Sequence, residues 1–292
     1  MGEVARMNLA ATQTVDVPCV ASADRIAQIA QDCLIDEVRT WPKPGLVSHI
    51  DAGSHTDMTA AHFEVSARAI SPYFSDLYRA GYDGADLLVL RKTGVAAEAA
   101  MLHATGGINT HRGAIWALGL LSAALGWRDA HKAELSCCDI VRQVWGAEIL
   151  ATAQTPFSHG GIVRRLYGAG GARIEAGMGF PFISSVGLPA LQQGRQLCPD
   201  DEEAARVQCC MALIAKLEDT NILYRGGREG LSFARAGAAM FLRCGGVGNP
   251  AWRDNAQALH RDFVSRRLSP GGAADGLAIS LFLERTEKIR PH

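Results

Sequence analysis

Asp219-Thr220-Asn221-Ile222-Leu223-Tyr224-Arg225-Gly226-Gly227-Arg228 gathers a carboxylate, an amide and two guanidinium groups around a glycine pair. The acid and amide oxygens are a donor set for a hard cation, and arginines beside glycines, where backbone can approach a ligand closely, suit a phosphate. The same residues are also ordinary loop chemistry, a turn followed by a helix-stopping Gly-Gly. The apolar spacing of Met211 to Glu218 places Asp219 and Asn221 at the C-terminal end of a buried helix.

Four other stretches carry chemistry. Glu37 falls in the last turn of a helix, where the dipole disfavours a carboxylate; it either meets solvent or has a cation or metal beside it. The loop Pro42 to Asp57 holds Lys43, His49, Asp51, His55 and Asp57 with little to bury, and long loops in compact domains are often functional. Asp57 reads as an N-cap of the next helix or as a metal or water ligand. In Ile108-Asn109-Thr110-His111-Arg112-Gly113-Ala114, a polar cluster opens an apolar helix: Asn109 or Thr110 caps it, or His111, Arg112 and the free backbone N–H groups seat an anion. Ser269-Pro270-Gly271-Gly272, with Asp275 in the first turn beyond, is a tight turn or a second phosphate edge.

Helices must position these groups. Period-two alternation is missing, and β-branched residues are sparse beside Ala and Leu, so the fold class is all-α. Apolar spacing predicts helices over Ser22 to Thr40 with Ser22 as N-cap, Met58 to Arg79, Asp83 to Ala104, Ala114 to Leu125 and Ala133 to Ala153. Further helices follow over Asp200 to Glu218, Gly230 to Arg243, Asn255 to Leu268 and Ala273 to Arg285. The glycine-rich stretch Ser158 to Pro189 reads as a looped lid or wall with Arg173 and Glu175 on a short helix. Its Gly168-Ala169-Gly170-Gly171-Ala172-Arg173 lacks the preceding strand and full spacing of a dinucleotide fingerprint. The expected architecture is a single bundle of about ten helices over residues 22–292, polar loops at one end, behind a flexible N-terminal arm over residues 1–21.

Composition narrows the function classes. A net charge of -1 with acids and bases interspersed excludes a broad nucleic-acid or anionic-membrane footprint. The longest uncharged apolar run, Gly113 to Gly126, is too short to span a bilayer. Eight cysteines, including the vicinal pairs Cys137-Cys138 and Cys209-Cys210, show no CxxC spacing, which argues for reduced buried thiols. With no secretion signal at the N-terminus, the expected location is the cytoplasm.

Together, Pro42-Lys43-Pro44-Gly45-Leu46-Val47, His55-Thr56-Asp57-Met58, Gly107-Ile108-Asn109-Thr110-His111-Arg112-Gly113-Ala114, Asp219-Thr220-Asn221 and Ser269-Pro270-Gly271-Gly272-Ala273-Ala274-Asp275 resemble the triphosphoribosyl-dephospho-CoA synthases from about Glu37 to Leu283. The resemblance implies an all-helical transferase that joins ATP to 3′-dephospho-CoA and releases adenine, making the prosthetic-group precursor for an acyl-carrier subunit. The product would pass to an acyl-carrier-protein transferase; a homodimer is compatible with the sequence. Arg112, where the citrate-lyase branch tends to have lysine, is similar to the malonate-decarboxylase branch.

The implied reaction assigns roles. Loss of adenine builds oxocarbenium-like charge that carboxylates stabilise, and the attacking 2′-hydroxyl needs a base. Glu37, Asp57 and Asp219 are the expected catalytic acids, Glu37 as base and Asp57 and Asp219 as ligands to Mg²⁺. Lys43, His55, Asn109, His111, Arg112, Asn221, Arg225, Arg228, Ser269, Gly271, Gly272 and Asp275 are expected to bind substrate. Two other classes fit the same residues: a metal-dependent ADP-ribosyl hydrolase-like enzyme and a non-catalytic helical chaperone of the carrier protein.

Overall fold

The computed structural model describes residues 17–152 and 159–287, and within them the chain is helical with no strand. The expected N-terminal arm lies outside the described residues except for its last five, which belong to α1. The helices are α1 (Val17–Val38), α2 (Ala60–Tyr82), α3 (Leu87–Ala104), α4 (Arg112–His131), α5 (Cys137–Ile140), α6 (Gly146–Ala151) and α7 (His159–Tyr167). There follow α8 (Gly171–Gly177), α9 (Leu188–Leu197), α10 (Glu202–Lys216), α11 (Thr220–Arg243), α12 (Trp252–Ser265) and α13 (Gly271–Glu287). None is long and apolar enough, among the described residues, to cross a membrane.

Two helices form the centre. α4 and α13 are apolar on nearly every face, as a helix surrounded by others must be, and both are buried along most of their length. α4 lies directly on α2. A Cβ on Gly81 would sit 1.9 Å from the Ala123 carbonyl oxygen, and one on Gly126 would sit 1.9 Å from that of Tyr78. Only glycine allows this backbone-to-backbone approach, which fixes where the N-terminus of α4 points. α13 packs against α1, α4 and α10.

Several boundaries differ from expectation for identifiable reasons. Ser22 lies inside α1, which starts earlier, at Val17. α2 starts after Thr59, whose backbone N–H donates to His62 Nδ1 at 3.1 Å, so Asp57 is not the cap. The predicted Ala133 to Ala153 helix is α5 and α6 joined through a π-helical turn, Val141–Trp145. The stretch read as a looped lid is largely helical, with α7, α8 and a second π-turn leading into α9. Within it Arg173 donates to the carbonyl of Ile149, and Glu175 Oε1 accepts from Phe182 N–H at 2.7 Å. Their positions on a short helix hold, but they fold this segment onto α6 and do not face the polar pole.

The seven described cysteines are free. Burial pushes the thiols of Cys33 and Cys210 up to about 12, so both are inert as nucleophiles at neutral pH.

Candidate active site

Asp219 does not end a helix; it begins one. α10 stops at Lys216, and Asp219 caps α11, its Oδ1 accepting from the N–H groups of Asn221 at 2.8 Å and Ile222 at 3.2 Å. Its Oδ2 accepts from Ala273 N–H at 3.1 Å, and Gly272 N–H adds a further bond to the carboxylate. One buried side chain thus caps α11 and α13 together, using both oxygens on backbone donors. Burial raises its pKa, and these N–H groups act in the opposite direction.

Asp275 repeats the device between α13 and α4. It accepts from the Ala114 N–H in the first turn of α4. A Cβ on Gly113 would lie 2.0 Å from Asp275 Oδ2, so the glycine of the INTHRGA motif is the space the carboxylate occupies. Burial pushes Asp275 up to about 8, and the nearby carboxylates Glu37 and Asp219 add to the rise. Two acids therefore tie three helix N-termini together, and the positive ends of three helix dipoles converge where they meet.

Glu37, on the last turn of α1, is buried, with its Oε1 in a very short ion pair with Lys43 Nζ. The Lys43 ammonium also donates to the Glu37 carbonyl oxygen at 2.6 Å, satisfying an orphan acceptor of the helix end. This resolves the unfavourable dipole position by a fully buried cation. The loop that delivers Lys43 was expected to bury little, yet residues 42–48 are buried. His260 of α12 holds it, with Nδ1 2.9 Å from the Lys43 carbonyl oxygen and Nε2 3.2 Å from Asp51 Oδ2. Ser54 Oγ adds a bond to the Leu268 carbonyl at 2.6 Å.

Between these elements lies a cleft of about 160 Å³, lined on its polar side by Glu37, His55, Asn109, Thr110, Asn221, Arg225, Ser269 and Asp275. His111, Arg112 and Gly271 complete that polar side. Lys43 and Asp219 stand beneath it, reaching it through Glu37 and through the capped helix ends. At the rim His55 Nε2 is 2.9 Å from Ser269 Oγ, and Arg225 reaches His55 Nδ1 at 3.3 Å and the Ser54 carbonyl at 3.3 Å. Burial, then Arg225, lowers the His55 pKa, against a raising effect of Asp57, whose exposed carboxylate is 3.6 Å away. Arg112 pairs with Glu98 at 2.9 Å, and its N–H donates to Asn109 Oδ1 at 3.3 Å. Gly227, at φ 61°, kinks α11 where a helix stop was expected. Beyond the kink Arg228 lies over the Tyr167 ring at 5.8 Å, away from the cleft-lining residues.

Two residues on α2, Ser66 and Phe63, stand at the site without having been expected there; Phe63 counts in the sequence only as an apolar position of the helix. Ser66 Oγ lies 2.7 Å from His111 Nδ1, and the Phe63 ring meets the imidazole edge-on at 5.0 Å. Nothing in α2 except ordinary core spacing marks them.

The family described as CitG: ATP:dephospho-CoA triphosphoribosyl transferase matches residues 23–292. The chain belongs to that family. A protein of Azotobacter vinelandii named probable 2-(5''-triphosphoribosyl)-3'-dephosphocoenzyme-A synthase is 41% identical over 94% of this chain and 95% of its own length. A protein of Escherichia fergusonii named 2-(5''-triphosphoribosyl)-3'-dephosphocoenzyme-A synthase is 37% identical over 94% of this chain and 96% of its own. No solved structure matches the chain. Membership makes the chain a transferase, as the motif resemblance implied.

Proposed function

We propose that this chain transfers the triphosphoribosyl group of ATP to the 2′-hydroxyl of 3′-dephospho-CoA. The bond from the ribose anomeric carbon to adenine breaks, a bond from that carbon to the 2′-oxygen forms, the hydroxyl loses its proton and adenine takes one up. The observation that carries this reading is the convergence of the α4, α11 and α13 N-termini on a cleft that also holds Glu37 and Asp275. Helix N-termini and Arg225 suit a triphosphate that is held and not cleaved, while carboxylates suit the charge that develops at the anomeric carbon. Glu37, already engaged by Lys43, serves as the fixed negative charge; Asp275, with a pKa near the working pH, takes the proton from the 2′-hydroxyl. Asn109, Asn221 and Ser269 orient the substrates from the rim.

Mg²⁺ would enter with the nucleotide and neutralise phosphate charge. Asp57, exposed at the rim beside His55, fits as its protein ligand. Asp219 has both oxygens on backbone N–H groups and fits instead as the support under the helix ends. We further assign the product to an acyl-carrier subunit by way of a downstream transferase, that of malonate decarboxylase on the strength of Arg112. The decisive experiment is chromatographic detection of free adenine from Mg-ATP with and without dephospho-CoA. Release that requires dephospho-CoA is expected; release into water alone would mean a hydrolase, and none under either condition a non-catalytic protein.

A further inference from the structure

The cleft has a second wall, unlike the carboxylate floor. Val47, Met58 and Phe63 line it, and they belong to a small apolar cluster with Val38, Ala60 and Ile108 that is separate from the main core. His111 stands against Phe63 and is 3% exposed. Ser66 takes its Nδ1, so Nε2 lies on the opposite side of the ring, and that atom has no hydrogen-bond partner. The adjacent Thr110 Oγ1, also buried, has none either. Buried polar atoms are normally hydrogen-bonded, and here two on consecutive residues lining one cleft are left for a ligand to engage.

The chemistry of that molecule is constrained. Burial, and then Lys43, pushes the His111 pKa down to about 3, so the imidazole is neutral. The Ser66 hydroxyl can donate or accept, leaving Nε2 free to take the complementary role. A neutral group presenting both donors and acceptors on its edge and apolar faces above and below answers to this wall.

We infer that this wall seats the leaving purine base, its faces against Phe63, Met58 and Val47 and its polar edge on His111 Nε2 and Thr110 Oγ1. The assignment rests on the transfer reaction proposed above and specifies its leaving-group subsite. The base would then lie beside Glu37 and Asp275 of the same cleft, which puts the anomeric carbon between the wall and the floor.

Binding of free adenine and of inorganic triphosphate to the full chain, followed by ligand-observed NMR and calorimetry, tests this without relying on turnover. Thr110→Val and His111→Phe are each expected to weaken adenine about tenfold, one hydrogen bond's worth, and to leave triphosphate unchanged. Thr110→Val removes an atom that has no partner in the protein, so its Tm should hold or rise while adenine affinity falls; a merely structural threonine would not separate the two. No adenine binding by wild type, unchanged adenine affinity in Thr110→Val, or equal losses for adenine and triphosphate would each overturn the assignment. If the adenine pattern holds but wild type releases no adenine from ATP with dephospho-CoA, the transfer reading fails and the base seat stands.

Discussion

The floor of the cleft and its rim hold the same residue types under opposite conditions. On the floor, Glu37, Asp219 and Asp275 are enclosed and each is bound to a cation or to backbone N–H groups. On the rim, Asp57, Arg112 and Arg225 are exposed and make a few contacts to one another's neighbours. Burial makes the floor expensive to alter, because a charge left there without its partner has no water to replace it. The rim is cheap to alter, because solvent screens it. Floor changes should therefore read out in stability and the chemical step, and rim changes in substrate capture.

Asp275→Asn should show the largest effect, a fall in kcat of about 10²- to 10⁴-fold, the range for loss of a positioned proton acceptor. It should also change the pH dependence of stability. A carboxyl raised to about 8 in the folded protein binds its proton more tightly there than in the unfolded chain. Its contribution is then present at low pH and lost as pH rises from about 4 through 8. Thermal unfolding between those limits should show a shallower decline in Asp275→Asn than in wild type. Asp219, also raised, leaves some slope behind. Unaltered slope and turnover would remove Asp275 from the floor's chemistry.

Next in size is Lys43→Met, which strands the Glu37 carboxylate and should cost about 3–5 kcal/mol in denaturant unfolding. Combining it with Glu37→Gln should recover most of that loss, with turnover still low. A double variant as unstable as the single one would show that the loop packing, and not the ion pair, is what Lys43 supplies. Glu37→Gln alone mixes both effects and is informative only within this cycle.

On the rim, Arg225→Ala should raise the KM for ATP or dephospho-CoA about tenfold with kcat little changed, since uniform binding is what it contributes. Arg225→Lys should fall between, because a lysine lacks the bidentate fork. The smallest effect is expected for Arg112→Ala, whose exposed pair with Glu98 is worth about 0–1 kcal/mol. A collapse of kcat in either variant, measured in steady-state assays, would erase the distinction between rim and floor.

Much of this was legible in the chain itself. Helical class follows from the 3.6-residue apolar spacing, and the motifs around Glu37, Asn109, Asp219 and Ser269 mark the loop ends that form the cleft. Spacing also started the last helix at Ala273 with Asp275 in its first turn; α13 begins two residues earlier, at Gly271, so Asp275 falls just beyond that turn. What the sequence could not assign is which side chain spends its oxygens on what. Asp219 was expected at a helix C-terminus and is a double N-cap, because the donors that claim it lie partly 54 positions away, at Ala273. Glu37 gained its cation only when the loop carrying Lys43 was folded under α1, and His111 its neutral state from burial in the packed bundle, with Lys43 adding to it. Local propensity depends on neighbours within a turn or two and survives in the sequence. Burial, partner choice and pKa depend on atoms brought together across the whole chain, and those only the tertiary packing of α1, α4, α11 and α13 decides.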